Sequence, residues 1–446
     1  MKRVLIYSQD TLEAGDLRCM RSLARRLLQA SGRVELRVIS GAPALNGVAD
    51  WQAWEGISNI TLPGVRQARS TLSSTAHPML TLGAALQLRK EVIRNAIVDF
   101  APDLILVDRM PYGRYDELGK VLAALKSAQA GVKCVLLLRD VIGSPKRTAQ
   151  QWRDRGYFDA MSEHYDKVLV LGEQEVFDLR REYAMPEPAA AKLAYCGYVA
   201  APPGRSERAR VRRALGVPGN EPLVLVVGGE AKDGEVLIRT YLQGLQSMPA
   251  EERPRSHIVC GAAMSEPERL ALACAAHAMP QVSIQQLSRD VMSLMSAASV
   301  VVTNGGYQTT CELLTLRRRA VVVPSTAQAD EQTLRAERLA GHGLLRLLRP
   351  AELQAQRLMS AVLAELVVAV EEMDVCVPQR VGGIEFVTST LLGLIDLEDE
   401  TTPGALTPAE LDGMASPPTD GFDLSLRNPN ETGVFAPSHG HAQAMH

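Results

Sequence analysis

No stretch of this 446-residue chain stays apolar for the roughly 18 residues needed to cross a bilayer. The best, 358–370, is broken by Ser360 and Glu365, so no transmembrane segment is expected. The seven cysteines (Cys19, Cys134, Cys196, Cys260, Cys274, Cys311, Cys376) contain no Cys-x-x-Cys spacing. That speaks against a disulfide or zinc framework and fits a reducing compartment. Neither Gly-x-Gly-x-x-Gly nor Gly-x-x-x-x-Gly-Lys-Ser/Thr occurs, which argues against a dinucleotide fingerprint and a P-loop. Met1–Tyr7 runs directly into a strand pattern, with an apolar run too short for a signal peptide, so a cytoplasmic protein is expected. Strong charge of one sign is lacking too. The net charge is −3, but 398–446 hold eight acidic residues against one Arg, leaving about +4 elsewhere. That is too mild to suggest nucleic acid, although it permits peripheral contact with an anionic membrane surface.

What is present is an ordinary globular composition, 46% hydrophobic and 22% charged, over a length that suggests two domains with separate cores. Short β-branched runs alternate with helical patterns, which indicates parallel α/β sheets. Strand runs at 4–7, 34–39, 104–107, 134–138 and 167–171 make an N-terminal Rossmann-like domain, 1–197, that opens as a βαβ unit. Helices are expected at 86–100 and 115–130. The region around Trp51, Trp54 and His77 offers no pattern beyond loops and part of a helix. A Pro/Gly-rich linker spans 198–206. Strand runs at 223–227, 257–260, 282–284, 299–303 and 320–324 make a second domain, 207–397, with helices after 309 and at 331–340, 353–373 and 384–394. The Pro-, Gly- and acid-rich 398–446 is expected to be a disordered tail, and its His439, His441 and His446 lack the register of a metal site.

Chemistry is expected beyond the carboxyl ends of the strands, where open parallel sheets gather ligands. Asp108, Arg139 and Asp140 stand there as cleft residues, or as helix caps and local ion pairs. In the second domain two strands run into glycines: Val227 into Gly228-Gly229, and Thr303-Asn304 into Gly305-Gly306. Glycine lets the backbone approach a ligand closely where a helix presents free N–H groups, an arrangement suited to phosphate. The plainer alternative is two strand-to-helix turns.

The ordered series Arg289-Asp290-Val291-Met292, Gly305-Gly306-Tyr307-Gln308-Thr309, Glu312, a Val-Pro strand end, Glu331-Gln332 and Arg335-Ala336 resembles the nucleotide-sugar half of GT-B glycosyltransferases. The likeness is to the family 28 type, which works on the peptidoglycan lipid precursor, and to uncharacterised bacterial transferases. It is good over 220–350 and weaker before. It implies two Rossmann-like domains facing a cleft, with a nucleotide-diphosphate sugar, UDP-sugar first, as donor and no cofactor. The acceptor would be a glycan or a lipid-linked intermediate, on the cytoplasmic side and peripheral to an inner membrane. Gly228, Gly229, Gly305 and Gly306 would hold the diphosphate, although Glu230, Ala231 and Lys232 replace glycines of the relatives' first loop. Glu312 would bind the ribose hydroxyls, or form a capping box with Thr309. Glu331 and Gln332 would read the donor sugar, or simply sit at a helix start with favourable dipole placement.

Many relatives carry Gly-x-Gly-His after the first strand, with the His as base. Here Asp16 takes that place, followed by Arg18, another cleft residue. Asp16 would be the base or a helix N-cap. No Asp-x-Asp pair stands at a strand end, so a metal-independent transfer is expected. Two other functions share this architecture: a nucleotide-sugar 2-epimerase, disfavoured by a cleft poor in His, and a non-catalytic binding partner.

Overall fold

The computed structural model describes residues 1–8, 14–41, 57–65, 81–200, 208–219, 221–229, 233–261, 264–288, 290–326, 329–368 and 382–398. The expected linker, most of it, and the tail after Glu398 lie outside the described residues.

The first unit contains β1 (Lys2–Ser8), α1 (Ala14–Ala30), β2 (Val34–Ser40), β3 (Ile57–Thr61), α2 (Leu82–Phe100), β4 (Leu104–Asp108) and α3 (Gly119–Ser127). It continues through β5 (Lys133–Arg139), α4 (Pro145–Asp154), α5 (Tyr157–His164), β6 (Lys167–Leu171), α6 (Leu179–Glu182), α7 (Glu187–Ala190) and β7 (Leu193–Tyr195). The second unit contains α8 (Arg208–Ala214), β8 (Leu223–Val227), α9 (Asp233–Gln246), β9 (Arg255–Val259), α10 (Glu266–His277), β10 (Val282–Gln285) and α11 (Val291–Ala297). It ends with β11 (Val300–Thr303), α12 (Tyr307–Thr315), β12 (Arg319–Val322), α13 (Ala329–Gly341), β13 (Arg346–Leu347) and α14 (Ala355–Val367). A last helix, α15 (Gly383–Leu394), follows.

The seven strands of the first unit pair in parallel in the order β3-β2-β1-β4-β5-β6-β7, the six of the second in the order β10-β9-β8-β11-β12-β13. Central strands such as Leu104–Asp108 and Leu223–Val227 are buried along their whole length. Helices cover both faces of each sheet, so these strands read as continuous apolar runs rather than alternating ones. In each sheet the strand order reverses once, between β1 and β4 and between β8 and β11. The loops leaving those strands open the crevices in which ligands bind in such sheets.

The two units share a core. Cys19, Leu23 and Leu27 of α1 belong to one apolar cluster with Cys311 and Leu314 of α12 and with Val387 and Leu391 of α15. Helix α15 therefore packs on α1, in the first unit, although the chain reaches it from the second. The backbone comes so close there that a Cβ on Gly383 would lie 2.8 Å from the Tyr198 carbonyl oxygen and 2.9 Å from that of Cys196.

Several elements differ from the sequence reading. Helix α3 begins at Gly119 rather than 115, because 111–118 form turns with Gly113 and Asp116 at positive φ. Helices α4 to α7 and the short β7 flank β6 within 145–195, where only one strand was expected, and β3 lies in the region without a pattern. Helix α14 ends at Val367, and 369–381 lie outside the described residues.

Candidate functional site

Because β8 and β11 are adjacent, the turns that follow them meet. Gly229 and Gly305 have φ of +67° and +69°, a region that side chains with a Cβ rarely enter. A Cβ on Gly305 would lie 2.4 Å from Cγ1 of Val322, and one on Gly229 would lie 3.7 Å from Oδ1 of Asn304. Gly306 is different. It is the N-cap of α12 with φ −55°, no side chain caps the helix, and a Cβ there would meet nothing within 4 Å. The turn thus presents an open helix start whose first N–H groups carry partial positive charge.

Helix α12 starts at Tyr307, so Thr309 lies inside it and the alternative reading of Glu312, a capping box with Thr309, does not hold. Glu312 is buried and accepts from Nε2 of Gln308 at 3.3 Å. Two buried amide oxygens of this stretch, Oδ1 of Asn304 and Oε1 of Gln308, have no hydrogen-bond partner among the described residues. The Asn304 orientation is fixed by its Nδ2, which donates to the Val323 carbonyl at 2.9 Å. Buried acceptors without donors are costly. Neither amide was singled out by spacing, although both lie within the glycine motif.

The loop after β12 is tied down on both sides. Asp233, opening α9, accepts from the Ser325 hydroxyl at 2.7 Å and from the Thr326 amide at 2.6 Å. Gln332 is buried, and its Oε1 accepts from the Ser325 amide at 2.8 Å. Glu331, one residue earlier in α13, instead faces a cavity of about 720 Å³ between the units.

Beside that cavity lies a buried cluster of charge. Arg335 is 1% exposed and donates from Nε and Nη2 to Asp140, with an Nη2–Oδ1 distance of 2.9 Å. The same Nη2 lies 2.8 Å from Glu331, one helical turn away. Asp140 also accepts from the Val141 amide and, at 3.2 Å, from the Tyr198 hydroxyl. Asp140 is therefore wholly buried at the centre of an ion pair between the units, and does not line the cavity. Burial works against the charge of Arg335, but Asp140 and Glu331 outweigh it and hold the guanidinium protonated. Burial likewise raises the Glu331 carboxyl, and Arg335, Arg139 and Arg109 overcome this to leave it below its usual 4.5.

The Tyr307 ring carries the guanidinium of Arg139 at 4.5 Å and that of Arg335 at 5.1 Å, and its hydroxyl donates to the Leu171 carbonyl at 2.9 Å. Tyr307 and Arg335 thus join helices α12 and α13 to the first unit. The motif contained both residues, but their partners lie 136 and 195 positions away in sequence.

On the first-unit side, α1 begins at Ala14, two residues before Asp16, so Asp16 is not its N-cap. The side chains of Asp16 and Arg18 lie outside the described residues. Asp108 is buried at the end of β4, and Arg109 follows with φ +67° and lines the cavity, as does Arg139 at the end of β5. Of the expected residues, the structure brings Arg139 and Glu331 together at the cavity and groups the four glycines with Glu312 at the second switch point.

Two parallel-sheet units, glycine turns at the second switch point and a cleft between them define the GT-B architecture of glycosyltransferases. The comparisons agree. Residues 223–369 match the Glycosyltransferase family 28 C-terminal domain. An uncharacterized glycosyltransferase of Methanopyrus kandleri is 31% identical over 156 residues, 35% of this chain and 41% of that protein. The chain thus spans about two fifths of the length of that relative. Among solved structures, MurG of Acinetobacter baumannii superposes with a TM-score of 0.57 at 16% identity, covering 88% of this chain and 99% of that one. The calicheamicin glycosyltransferase CalG4 also gives 0.57 at 16% identity, covering 90% and 100%. The second unit is thus similar to that family's C-terminal domain, and the chain as a whole has the GT-B fold. No described helix is long and apolar enough to cross a membrane.

Proposed function

We propose that the protein transfers a sugar from a nucleotide-diphosphate sugar to a hydroxyl of a glycan or lipid-linked acceptor. The carrying observation is the pair of glycine turns at the β8/β11 switch point, within the stretch that matches the family 28 domain. The diphosphate would lie against Gly228, Gly229, Gly305 and Gly306, with its leaving charge met by the start of α12. Helix-end N–H groups can take up that charge without a metal, in keeping with a sequence that has no Asp-x-Asp strand end. Glu312 would accept from the ribose hydroxyls. The unpartnered oxygens of Asn304 and Gln308 are suited to further hydroxyl or N–H donors of a nucleotide. Glu331, facing the cavity, would bind the donor sugar, whereas Gln332 holds the loop after β12. A UDP-hexose or UDP-N-acetylhexosamine is the donor we expect, and Asp16 the base that takes the acceptor proton. The protein would act in the cytoplasm, at the periphery of an inner membrane.

A thermal-shift panel of UDP, GDP, dTDP and CMP tests the donor. A nucleotide at a hundredfold excess over its Kd adds roughly 2.7 kcal/mol to the folded state. No stabilisation by any of the four would sink the reading. One observation favours a second reading, a binding partner without turnover: Asp16 stands where relatives carry His. Incubation with UDP-sugars separates the two, since a transferase releases UDP by transfer or slow hydrolysis and a mere binder releases none.

A further inference from the structure

Glu331 belongs to the second unit, but what holds it is anchored in the first. The link is Arg335, one helical turn on in α13 and 1% exposed. One edge of its guanidinium, Nε with Nη2, is taken by Asp140. Nε lies 3.0 Å from Oδ1 and 3.1 Å from Oδ2, and Nη2 lies 2.9 Å from Oδ1. Nη2 also donates to the Val141 carbonyl at 3.1 Å and to Oε1 of Glu331 at 2.8 Å. The remaining nitrogen, Nη1, is buried and has no hydrogen-bond partner among the described residues. Glu331 is thus held through one oxygen while it lines the cavity. Asp140 is itself fixed tightly. It accepts from the Val141 amide at 2.7 Å and from the Tyr198 hydroxyl at 3.2 Å. The end of β6 presses on it as well, for a Cβ on Gly172 would lie 2.4 Å from Cβ of Asp140.

We propose that Asp140 is a positioning residue for the donor sugar, acting from the first unit through Arg335 to keep the Glu331 carboxylate open to sugar hydroxyls. The inference rests on the transferase reading above, in which Glu331 binds that sugar, and adds the means by which the other unit controls it. A guanidinium and a carboxylate pair most favourably through two parallel N–H···O bonds. With Asp140 on the Nε edge, Glu331 receives one such bond and keeps an oxygen for the ligand. Without the charge of Asp140, Glu331 becomes the only carboxylate bonded to a buried guanidinium. The unpaired Nη1 would then draw the second oxygen of Glu331 out of the cavity, because a buried cation left short of counter-charge is costly.

The test uses the full chain and titration calorimetry with UDP, UDP-glucose and UDP-N-acetylglucosamine. The readout is the Kd of the tighter sugar nucleotide divided by that of UDP, so that effects on the nucleotide part cancel. Glu331→Gln should raise this ratio about tenfold or more, the worth of a hydrogen bond to a charged group. Asp140→Asn leaves Glu331 chemically intact, yet it should raise the ratio to a similar extent. The double variant should go no further than Glu331→Gln alone. Arg338→Gln is the control for general loosening, because Arg338 pairs with Glu182 of the first unit at 3.0 Å, a link between the units that does not pass through Arg335. Its ratio should match wild type. A ratio unmoved by Asp140→Asn, or moved equally by Arg338→Gln, overturns the inference, and so does a double variant whose effects add. If Asp140→Asn does not fold, Asp140→Leu with Arg335→Met takes its place, since it leaves neither charge buried alone and Glu331 still unheld. A wild-type ratio there overturns the inference as well. Failure of UDP to bind the wild type, or a Glu331→Gln ratio equal to wild type, strikes the donor reading itself, and this inference falls with it.

Discussion

Replacing Gly306 with valine separates a phosphate site from a plain turn. The backbone of Gly306, at φ −55° and ψ 153°, is open to any residue, and a Cβ there meets no atom within 4 Å. Stability should therefore change by no more than about 0.5 kcal/mol, as for a surface substitution. A valine side chain would, however, fill the space that a phosphate needs against the first N–H groups of α12. Two charge-assisted hydrogen bonds at about 1.5–3 kcal/mol each make the loss about 3–6 kcal/mol, or roughly 10²–10⁴-fold in Kd. Gly305 should behave in the opposite way. At φ +69°, with Val322 Cγ1 2.4 Å from its Cβ position, Gly305→Ala carries a left-handed backbone cost of about 1–2 kcal/mol plus the clash. At roughly 2–4 °C per kcal/mol for a unit of this size, its Tm should fall by about 4 °C or more. Calorimetric titration with UDP and thermal melts read both variants. UDP binding to Gly306→Val at wild-type strength, or a Gly305→Ala protein as stable as wild type, would refute the reasoning.

Three further outcomes can be checked. Asp16→Asn should lower transfer about 10²–10⁴-fold without changing UDP affinity, and Asp16→His should keep or raise the rate; full turnover by the Asn variant would move the base elsewhere, with Asp108 next. Arg335→Met should cost about 3–5 kcal/mol in urea unfolding by leaving Asp140 charged and buried, and Asp140→Leu added to it should recover part of that loss; an additive pair would show that the two do not interact. The Glu331 carboxyl lies below its usual 4.5, so its ionised form contributes stability above that pH, lost as pH falls through the lowered value. The Tm gap between wild type and Glu331→Gln should then be full at pH 6 and shrink as pH falls below about 4.5, and a gap that is constant or grows on acidification would contradict the assignment.

How much of this was legible in sequence depended on whether cause and consequence were neighbours in the chain. Leu104–Asp108 and Leu223–Val227 are buried on both faces and had to be continuous apolar runs, so both sheets could be read directly. The glycine turns were legible because a strand, its turn and the next helix are contiguous. Helix α4 was not: its sequence buries only Thr148, Ala149 and Trp152, leaving no apolar stripe to detect. The arginines lining the cavity are spread over 47 positions and reach one wall only when β4, β5 and α4 come together. Asp140 stood correctly at a strand end, but nothing local announces a partner 195 residues on.

The placement of α15 has a mechanical consequence. The polypeptide passes from one unit to the other between Tyr195 and Arg208 and comes back between Val367 and Gly383, and Gly383 rests on the backbone of Cys196 and Tyr198. A body joined to another by one tether can swing and twist about it. Two crossings whose ends meet at Gly383 and at Cys196 and Tyr198 would remove most of the twist and leave bending about the line through both. Any relative movement would then follow a single arc, and it would have to part the Arg335–Asp140 pair and the core that α1 shares with α12. A cut near residue 200 would not release two self-sufficient halves, because the amino-terminal piece would be missing a helix that is made last.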